Sequence, residues 1–204
     1  MTTILHVSSS VRSTGSISRQ LSNEFVAKLK SAAAGNSVVL RDLTANPVPH
    51  LTEQMMGAYF TPAEQRSAEQ IETVKLSDNL VAELMAADVV VIAAPMYNFS
   101  VSSTLKAWID HIARAGLTFK YGANGPEGLV SGKKFYVFTS RGGVYSEGPA
   151  KVMDFHETYL RAVFGFLGVT DITFIHSEGL AMGDDAVNAA LAGSRSAIDG
   201  LIAA

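Results

Sequence analysis

The sequence contains no cysteine among its 204 residues, which excludes disulfides, thiolate metal sites and thiol nucleophiles together. It also lacks any run of about 18 apolar residues, the length that a membrane-spanning helix requires. The N-terminal stretch MTTILHVSSS has neither the basic region nor the long apolar segment of a secretory signal. We therefore expect a cytoplasmic protein that has no membrane partner.

Charged residues are few and of mixed sign. They make up 17% of the chain, the formal net charge is −3, and no cluster of Lys and Arg stands out, so we expect no nucleic-acid partner. The five histidines include no pair with metal-ligand spacing such as His-Glu-x-x-His, so we expect no metal site. An apolar fraction of 48% is enough to fill a core, and the length suits one domain over residues 1–204.

Short apolar runs alternate with segments of helical periodicity along the whole chain. Strands are predicted at 3–7, 37–43, 88–94, 135–139 and 172–176. Helices are predicted from about Ser18, over 61–87, 103–115 and 153–167, and from Asp184 onward. Residues 46–60 are predicted to be irregular, and Thr61 is predicted to cap the helix that follows it. This alternation predicts an α/β fold with a doubly wound, five-stranded parallel sheet and helices on both faces.

The loops that follow the first, third and fourth strands carry the most informative residues. In a parallel sheet these loops meet at one edge, where such folds bind ligands. The first loop, residues 8–18, contains six serines and one cation, Arg12. Hydroxyl groups beside helix N-terminal amides favour a phosphate, and the missing nucleotide fingerprints favour a monophosphate. The alternative is that these serines only cap the helix.

The second and third loops suit a flat heteroaromatic ring. In the second loop, Met96, Tyr97 and Phe99 offer apolar or aromatic faces, and Asn98 can bond to a polar ring edge. In the third loop, residues 140–143, two glycines allow close approach of the backbone. The alternative for the second loop is a hydrophobic plug on the next helix. A phosphate at one end and a conjugated ring at the other describe flavin mononucleotide (FMN).

Four motifs together, S-S-S…S-I-S, A-P-M-Y-N-F-S, N-G-P-E-G-L (124–129) and T-S-R-G-G (139–143), closely resemble those of the FMN-dependent NADH:azoreductases. This flavodoxin-like family also reduces quinones. The resemblance implies bound FMN, NADH or NADPH as co-substrate, and a homodimer in which the partner subunit completes each flavin site. It implies FMN contacts from Ser10, Ser16, Ile17, Ser18, Met96, Tyr97, Asn98, Phe99, Ser140, Arg141, Gly142 and Gly143.

The resemblance also implies a two-step reaction in which NADH reduces the flavin, and an azo compound or quinone then enters the same space and is reduced. The cofactor performs the redox step, so no side chain is predicted to be an essential catalyst. The substrate slot is predicted to be shaped by Tyr121, Phe166, Phe60 and Tyr145. Phe60 stands where some members have arginine, and Tyr145 where histidine occurs. An aromatic residue in the apolar run around Phe166 also suits a core position.

Other functions on the same topology remain open from sequence. A flavodoxin-type electron carrier would bind FMN but have no small-molecule substrate of its own. A chromate or FMN reductase would share the fold and cofactor and differ only in the acceptor. A receiver domain would need an acidic cluster at the strand ends, which Ser8, Ser9 and Ser10 do not provide. The mild net charge and the insertions at 44–62 and 118–132 favour an enzyme.

Overall fold

The computed structural model describes residues 1–203. Five strands form a parallel sheet in the order β2-β1-β3-β6-β7. Two further strands, β4 and β5, form a separate antiparallel hairpin. The predicted doubly wound five-stranded sheet is therefore confirmed. The strands are β1 (Thr3–Ser8), β2 (Ser37–Asp42), β3 (Val89–Pro95), β4 (Phe119–Gly122), β5 (Gly125–Gly128), β6 (Lys134–Ser140) and β7 (Asp171–Ser177).

Helices cover both faces of the sheet, and each face has its own apolar cluster. One cluster includes Leu21, Phe25 and Ile198, and the other includes Leu84 and Trp108. The central strand β3 serves both, since side chains along a strand alternate between the two faces of the sheet. The helices are α1 (Ile17–Ala32), α2 (Glu53–Phe60), α3 (Ala68–Ala86), α4 (Ser103–Ile112), α5 (Glu157–Phe166) and α6 (Asp184–Ala203).

The prediction for the segment between β2 and α3 was wrong in two respects. Part of the stretch predicted to be irregular is α2, whose first turn is capped by the Thr52 hydroxyl accepting from Met55 N at 3.2 Å. Thr61 does not begin a helix but ends α2. The next α-helix starts at Ala68, because its N-cap Ser67 and Gln70 form a reciprocal capping box.

The β4–β5 hairpin was not predicted, because the sequence Gly-Pro-Glu-Gly of β5 has little strand propensity. The hairpin packs on the turn between α5 and β7, where Val130 N donates to Leu167 O at 2.8 Å. A Cβ added to Gly128 would lie 2.1 Å from the backbone nitrogen of Gly168. The two backbones are therefore in direct contact, and this contact requires a glycine at 128.

Two further findings concern residues 1–203. No helix there combines the length and the apolar character needed to cross a bilayer. The same residues contain no group of three or more His, Asp or Glu side chains arranged to hold a metal ion.

His6 lies inside the sheet on β1 and is almost fully buried. Its Nε2 is 2.9 Å from the Ser22 hydroxyl, and that hydroxyl donates to Arg19 O at 3.0 Å. With this hydroxyl proton directed at Arg19 O, Nε2 is the ring nitrogen that donates to Ser22. Burial, with a smaller contribution from the nearby positive charge of Arg19, lowers the pKa of His6 to about 4.

We predict that His6 makes the protein sensitive to mild acid. As pH falls from about 6.5 to about 4, the unfolded chain takes up a proton at this residue before the folded chain does, so stability is lost in this window. The loss from His6 alone is about 3 kcal/mol. His6→Gln keeps a donor toward Ser22 but does not titrate, so its free energy of unfolding should fall correspondingly less. Urea denaturation at a series of pH values measures this.

The exposed His50 provides the matched control, since His50→Gln should follow the wild-type pH dependence. If His6→Gln and wild type lose stability equally between the two pH values, the acid sensitivity does not come from His6.

Candidate functional site

The carboxyl ends of β1, β3 and β6 lie side by side, and hydrogen bonds join the loops that follow them. Ser9 bonds to Ala93 O through both its N–H (3.1 Å) and its hydroxyl (2.7 Å). Across the next pair of strands, Met96 N donates to Ser140 O at 3.0 Å. The three loops predicted to meet therefore do meet, at the point where the winding direction of the sheet reverses.

A cavity of about 220 Å³ opens between the three loops. Eight of the twelve predicted cofactor contacts line it, and Ser18, Asn98, Phe99 and Gly143 flank those residues in sequence. Leu180, from the loop between β7 and α6, was missed, because no sequence pattern marks that loop. The lining residues are Ser10, Arg12, Gly15, Ser16, Ile17, Pro95, Met96, Tyr97, Ser140, Arg141, Gly142 and Leu180.

The first loop presents free hydrogen-bond donors at the N-terminus of α1. Ser16 is the N-cap, accepting from Arg19 N, and the Ser16 and Ser18 hydroxyls are 3.4 Å apart. Within residues 1–203 the N–H groups of Ile17 and Ser18 have no protein acceptor. Free amides and hydroxyls at a helix N-terminus suit an anion. Ser16 does cap the helix, as the alternative reading held, but Ser10 and Ser18 are not caps.

A partly buried ion pair holds this loop from the side opposite the cavity. Arg19 binds Asp42 at 2.5 Å and also donates to Ser10 O at 3.1 Å. The hydrogen bond from Arg19 is the main reason that the pKa of Asp42 lies below its usual value. Because Asp42 balances the charge of Arg19, the exposed Arg12 is the cation that this loop offers to the cavity.

The second loop is a tight turn with unusual backbone angles. Tyr97 and Ser100 exchange two backbone hydrogen bonds of 2.9 and 3.0 Å, and the two residues between them have positive φ angles, 48° at Asn98 and 68° at Phe99. These are the features of a type I′ turn. Asparagine tolerates this region, whereas a phenylalanine there is strained. The Phe99 ring packs edge-on against Tyr145, with ring centroids 6.1 Å apart.

A second, larger hollow of about 640 Å³ lies against the same turn. It shares Tyr97 with the smaller cavity and continues along the start of α4 to Val101, Lys106 and Tyr159. The turn at Tyr97 therefore stands between two open spaces and is not a plug on the next helix, which was the alternative for this loop.

The third loop is held by the segment that follows β7. Leu180 N and Ala181 N donate to the carbonyls of Arg141 and Gly142, and Gly179 N donates to Gly143 O, at 2.9–3.1 Å. These three carbonyl groups are thus occupied by hydrogen bonds within the protein. Over residues 1–203, the N–H groups of Gly142 and Gly143 find no protein acceptor, so they are available to a ligand.

The side chain of Arg141 does not face the cavity as a ligand contact would require. It is fully buried and forms ion pairs with Asp154 at 2.9 Å and Glu178 at 3.0 Å. Any contact between Arg141 and a ligand in the cavity is therefore made by the main chain of Arg141. These ion pairs were not predicted, because no local sequence pattern links Arg141 to either carboxylate.

The four predicted substrate residues fall into two places. Tyr145 lies beside the third loop, and its ring approaches within 3.3 Å of where a Cβ on Gly143 would be. Tyr121, Phe166 and Phe60 lie elsewhere and do not line the cavity of their own chain. Their role as substrate contacts stays a prediction.

Phe119, which was not predicted, connects these three residues. Its ring centroid is 5.7 Å from that of Tyr121 and 4.7 Å from that of Phe166, and it shares a separate hollow of about 220 Å³ with Phe60. We call Phe60, Phe119, Tyr121 and Phe166 the aromatic cluster. Tyr121 and Phe60 are about three-quarters exposed, and Phe166 is 38% exposed, so Phe166 is not a core residue.

This fold and this set of loops define a flavodoxin-like protein, and the sequence profile described as flavodoxin-like fold matches residues 2–201. The chain is 58% identical, over the full length of both proteins, to the FMN-dependent NADH:quinone oxidoreductase of Herminiimonas arsenicoxydans. It is 56% identical to the protein of the same name from Paraburkholderia phymatum, over 97% of this chain and 98% of that protein. The chain therefore belongs to the FMN-dependent NADH:quinone oxidoreductase family of flavodoxin-like proteins.

Among solved structures, the azoreductase from Bacillus anthracis str. Sterne has a similar fold. The two chains superpose with a TM-score of 0.89 at 32% identity, over 98% of each. The resemblance to azoreductases that the sequence motifs indicated is thus matched by the backbone over almost the whole chain.

We predict that Phe99→Gly stabilises the protein in the absence of ligand. The turn keeps its geometry, glycine adopts a φ of 68° without steric cost, and the relief of strain outweighs the loss of one half-exposed ring contact. The free energy of unfolding should rise by about 1 kcal/mol, measured by urea denaturation. Asn98→Gly is the control and should change it less, since asparagine already tolerates positive φ. A loss of stability in Phe99→Gly would show that ring packing outweighs backbone strain.

Proposed function

We propose that this protein is an FMN-dependent NAD(P)H oxidoreductase that reduces quinones and azo compounds. We take residues 1–204 as one FMN-binding domain, and a cytoplasmic location stays a prediction. The observation that carries the proposal is the meeting of three loops, each with free hydrogen-bond donors or exposed aromatic faces, around one cavity. Its relatives are named FMN-dependent NADH:quinone oxidoreductases, which supports FMN as the cofactor and a quinone as the acceptor.

The residues around the cavity fit the two chemically distinct ends of FMN. A monophosphate would bind the free N–H groups of Ile17 and Ser18 together with the hydroxyls of Ser10 and Ser16. The planar ring would lie against residues 96–99 and 140–143, where Met96 and Tyr97 offer apolar surface and Gly142 offers an unpaired N–H. Amide donors beside the ring would stabilise the negative charge that reduction places on it.

When bound, FMN supplies two-electron transfer between a nicotinamide and an acceptor. The chain binds and orients the reactants, which lowers the entropic part of the barrier. Within the described residues, 1–203, no Asp, Glu, His or Lys lines the cavity. That no side chain acts as an essential acid or base stays a prediction. NADH or NADPH would react first, and the quinone or azo compound would then occupy the same space.

We further propose that the working unit is a homodimer whose partner subunit completes each site. The aromatic cluster is exposed, yet it lies apart from the cavity of its own chain. Large exposed aromatic side chains grouped together suit contact with another molecule. In a two-fold dimer the cluster of one chain would reach the cavity of the other.

The alternative, a flavodoxin-type electron carrier, would use the same cavity but would not need the aromatic cluster. In this chain, α2 and the β4–β5 hairpin are insertions between the elements of the sheet, and they carry Phe60, Phe119 and Tyr121. Such insertions are suited to form the walls of a substrate-binding slot, and this favours an enzyme over an electron carrier.

The proposed function predicts that FMN binds, that NADH bleaches its absorbance under anaerobic conditions, and that a quinone restores it with steady turnover. Ser16→Asp should weaken FMN binding at least tenfold, because aspartate still caps the helix but repels the phosphate. Ser16→Asn caps without charge and should weaken FMN binding less than Ser16→Asp does, because it loses the hydroxyl contact but adds no repulsion. Fluorescence titration and steady-state oxidation of NADH and NADPH measure these effects. Bleaching without quinone turnover would indicate the carrier instead.

Mixing two defective variants tests the completion of the site across subunits. Ser16→Asp lacks a working cavity, and Tyr121→Ala/Phe166→Ala lacks the aromatic cluster, so each homodimer should be weakly active. After exchange of subunits, each mixed dimer has one intact site, and random exchange should restore about a quarter of wild-type activity. If activity stays at the sum of the separate variants although mixed dimers have formed, each chain contains a complete site.

A further inference from the structure

The carboxylate of Glu178, at the end of β7, gathers donors from both ends of the loop after β6. It accepts from Tyr145 N at 2.8 Å, from Ser146 N at 3.0 Å and from the Ser146 hydroxyl. It also accepts from the buried guanidinium of Arg141 at 3.0 Å. One side chain thus bonds to both ends of the segment from Arg141 to Ser146, which we call the arc.

This arrangement is held rigidly. The Nη1 of Arg141 that bonds to Glu178 also forms an ion pair with Asp154 at 2.9 Å, and the backbone N–H of Arg141 donates to Ser177 O at 2.9 Å. The side chain of Glu178 is 12% exposed. Burial alone would raise the pKa of Glu178, but the hydrogen bonds from Ser146, Tyr145 and Arg141 outweigh it and lower that pKa below its usual value. The carboxylate therefore stays ionised as an acceptor.

The closed arc contains the groups that the proposed function needs. Gly142 and Gly143 lie between the two points that Glu178 holds, and their N–H groups have no acceptor within residues 1–203. The Tyr145 ring packs over Gly143 and meets the ring of Phe99 in the second loop. A displacement of Tyr145 would therefore shift the amides of Gly142 and Gly143 and, at the same time, the Phe99 ring of the second loop.

We propose that Glu178 is a positioning residue for the flavin site: its carboxylate sets the arc at residues 142–145 so that the amides of Gly142 and Gly143 and the ring of Tyr145 face the cofactor. This assignment rests on the proposed function. Glu178 does not touch the cavity itself and acts through the backbone that it binds.

Glu157 offers a matched control for the charge of the cluster. Its carboxylate lies 4.0 Å from Arg141 and bonds to Arg161 and His176. It makes no hydrogen bond to residues 142–146. Glu157→Gln therefore removes a charge from the same cluster but leaves every contact of the loop in place. Glu178→Gln can keep one oxygen toward Tyr145 N, Ser146 N and Arg141, but it removes the charge that strengthens these hydrogen bonds.

The test compares wild type, Glu178→Gln and Glu157→Gln, each stripped of FMN and titrated with it by fluorescence. Glu178→Gln should raise the FMN dissociation constant about tenfold, which corresponds to about 1.4 kcal/mol, and should make the midpoint potential of the bound flavin more negative. Glu157→Gln should stay within about twofold of wild type in affinity, a difference of less than 0.5 kcal/mol. Thermal midpoints of the three apoproteins report purely structural damage.

A further variant keeps the inference testable if Glu178→Gln does not fold. Ser146→Ala removes only one donor to the carboxylate and should weaken FMN binding in the same direction but by less. Unchanged affinity and potential in Glu178→Gln, or an equal loss in Glu157→Gln, would overturn the assignment. Wild type that fails to bind FMN would instead overturn the proposed function, and the assignment with it.

Discussion

The adjacency of β1 and β3 in a parallel sheet is the constraint on which the site depends. Because both strands, and β6 beside them, end at the same edge, three loops far apart in sequence are forced together. The hydrogen bonds from Ser9 to Ala93 and from Met96 to Ser140 make this meeting specific. The apolar core on both faces of β3 stabilises the sheet, and the loops gain their order from the sheet.

In this site, the groups available to bind a ligand are different from the groups that hold the loops in place. At the rim, apart from the exposed cation Arg12, the donors are backbone amides and hydroxyls, which bind a ligand without carrying a full charge. Behind the rim lie full charges, Arg19 with Asp42 under the first loop and Arg141 with Glu178 under the third. Buried charges are costly unless they are paired, so such pairs make each loop sensitive to the loss of a partner. The loops are thus rigid where a ligand would need fixed amides.

Sequence reasoning predicted the parts of this molecule that depend on local pattern. The alternation of elements and the motifs of residues 8–18, 96–99 and 140–143 were enough to predict the sheet and the convergence of the loops. The cap at Ser67 is itself local, a Ser-x-x-Gln capping box, and it was missed because Thr61 and Glu64 offer the same spacing. The strandlike pairing of β5 and the burial of Arg141 depend on contacts with other parts of the fold, which a local pattern does not contain. The separation of the aromatic cluster from the cavity was hidden for the same reason, since it follows from where the β4–β5 hairpin docks.

The contact between the backbones of Gly128 and Gly168 has a consequence for how this protein could diversify. No side chain takes part in it, so at this point the docking of the hairpin depends only on main-chain atoms. The Phe119 ring, which contacts both Tyr121 and Phe166, adds a side-chain contact beside it. Tyr121, about three-quarters exposed, can therefore change in size and polarity with less effect on the position of the hairpin than Phe119 can.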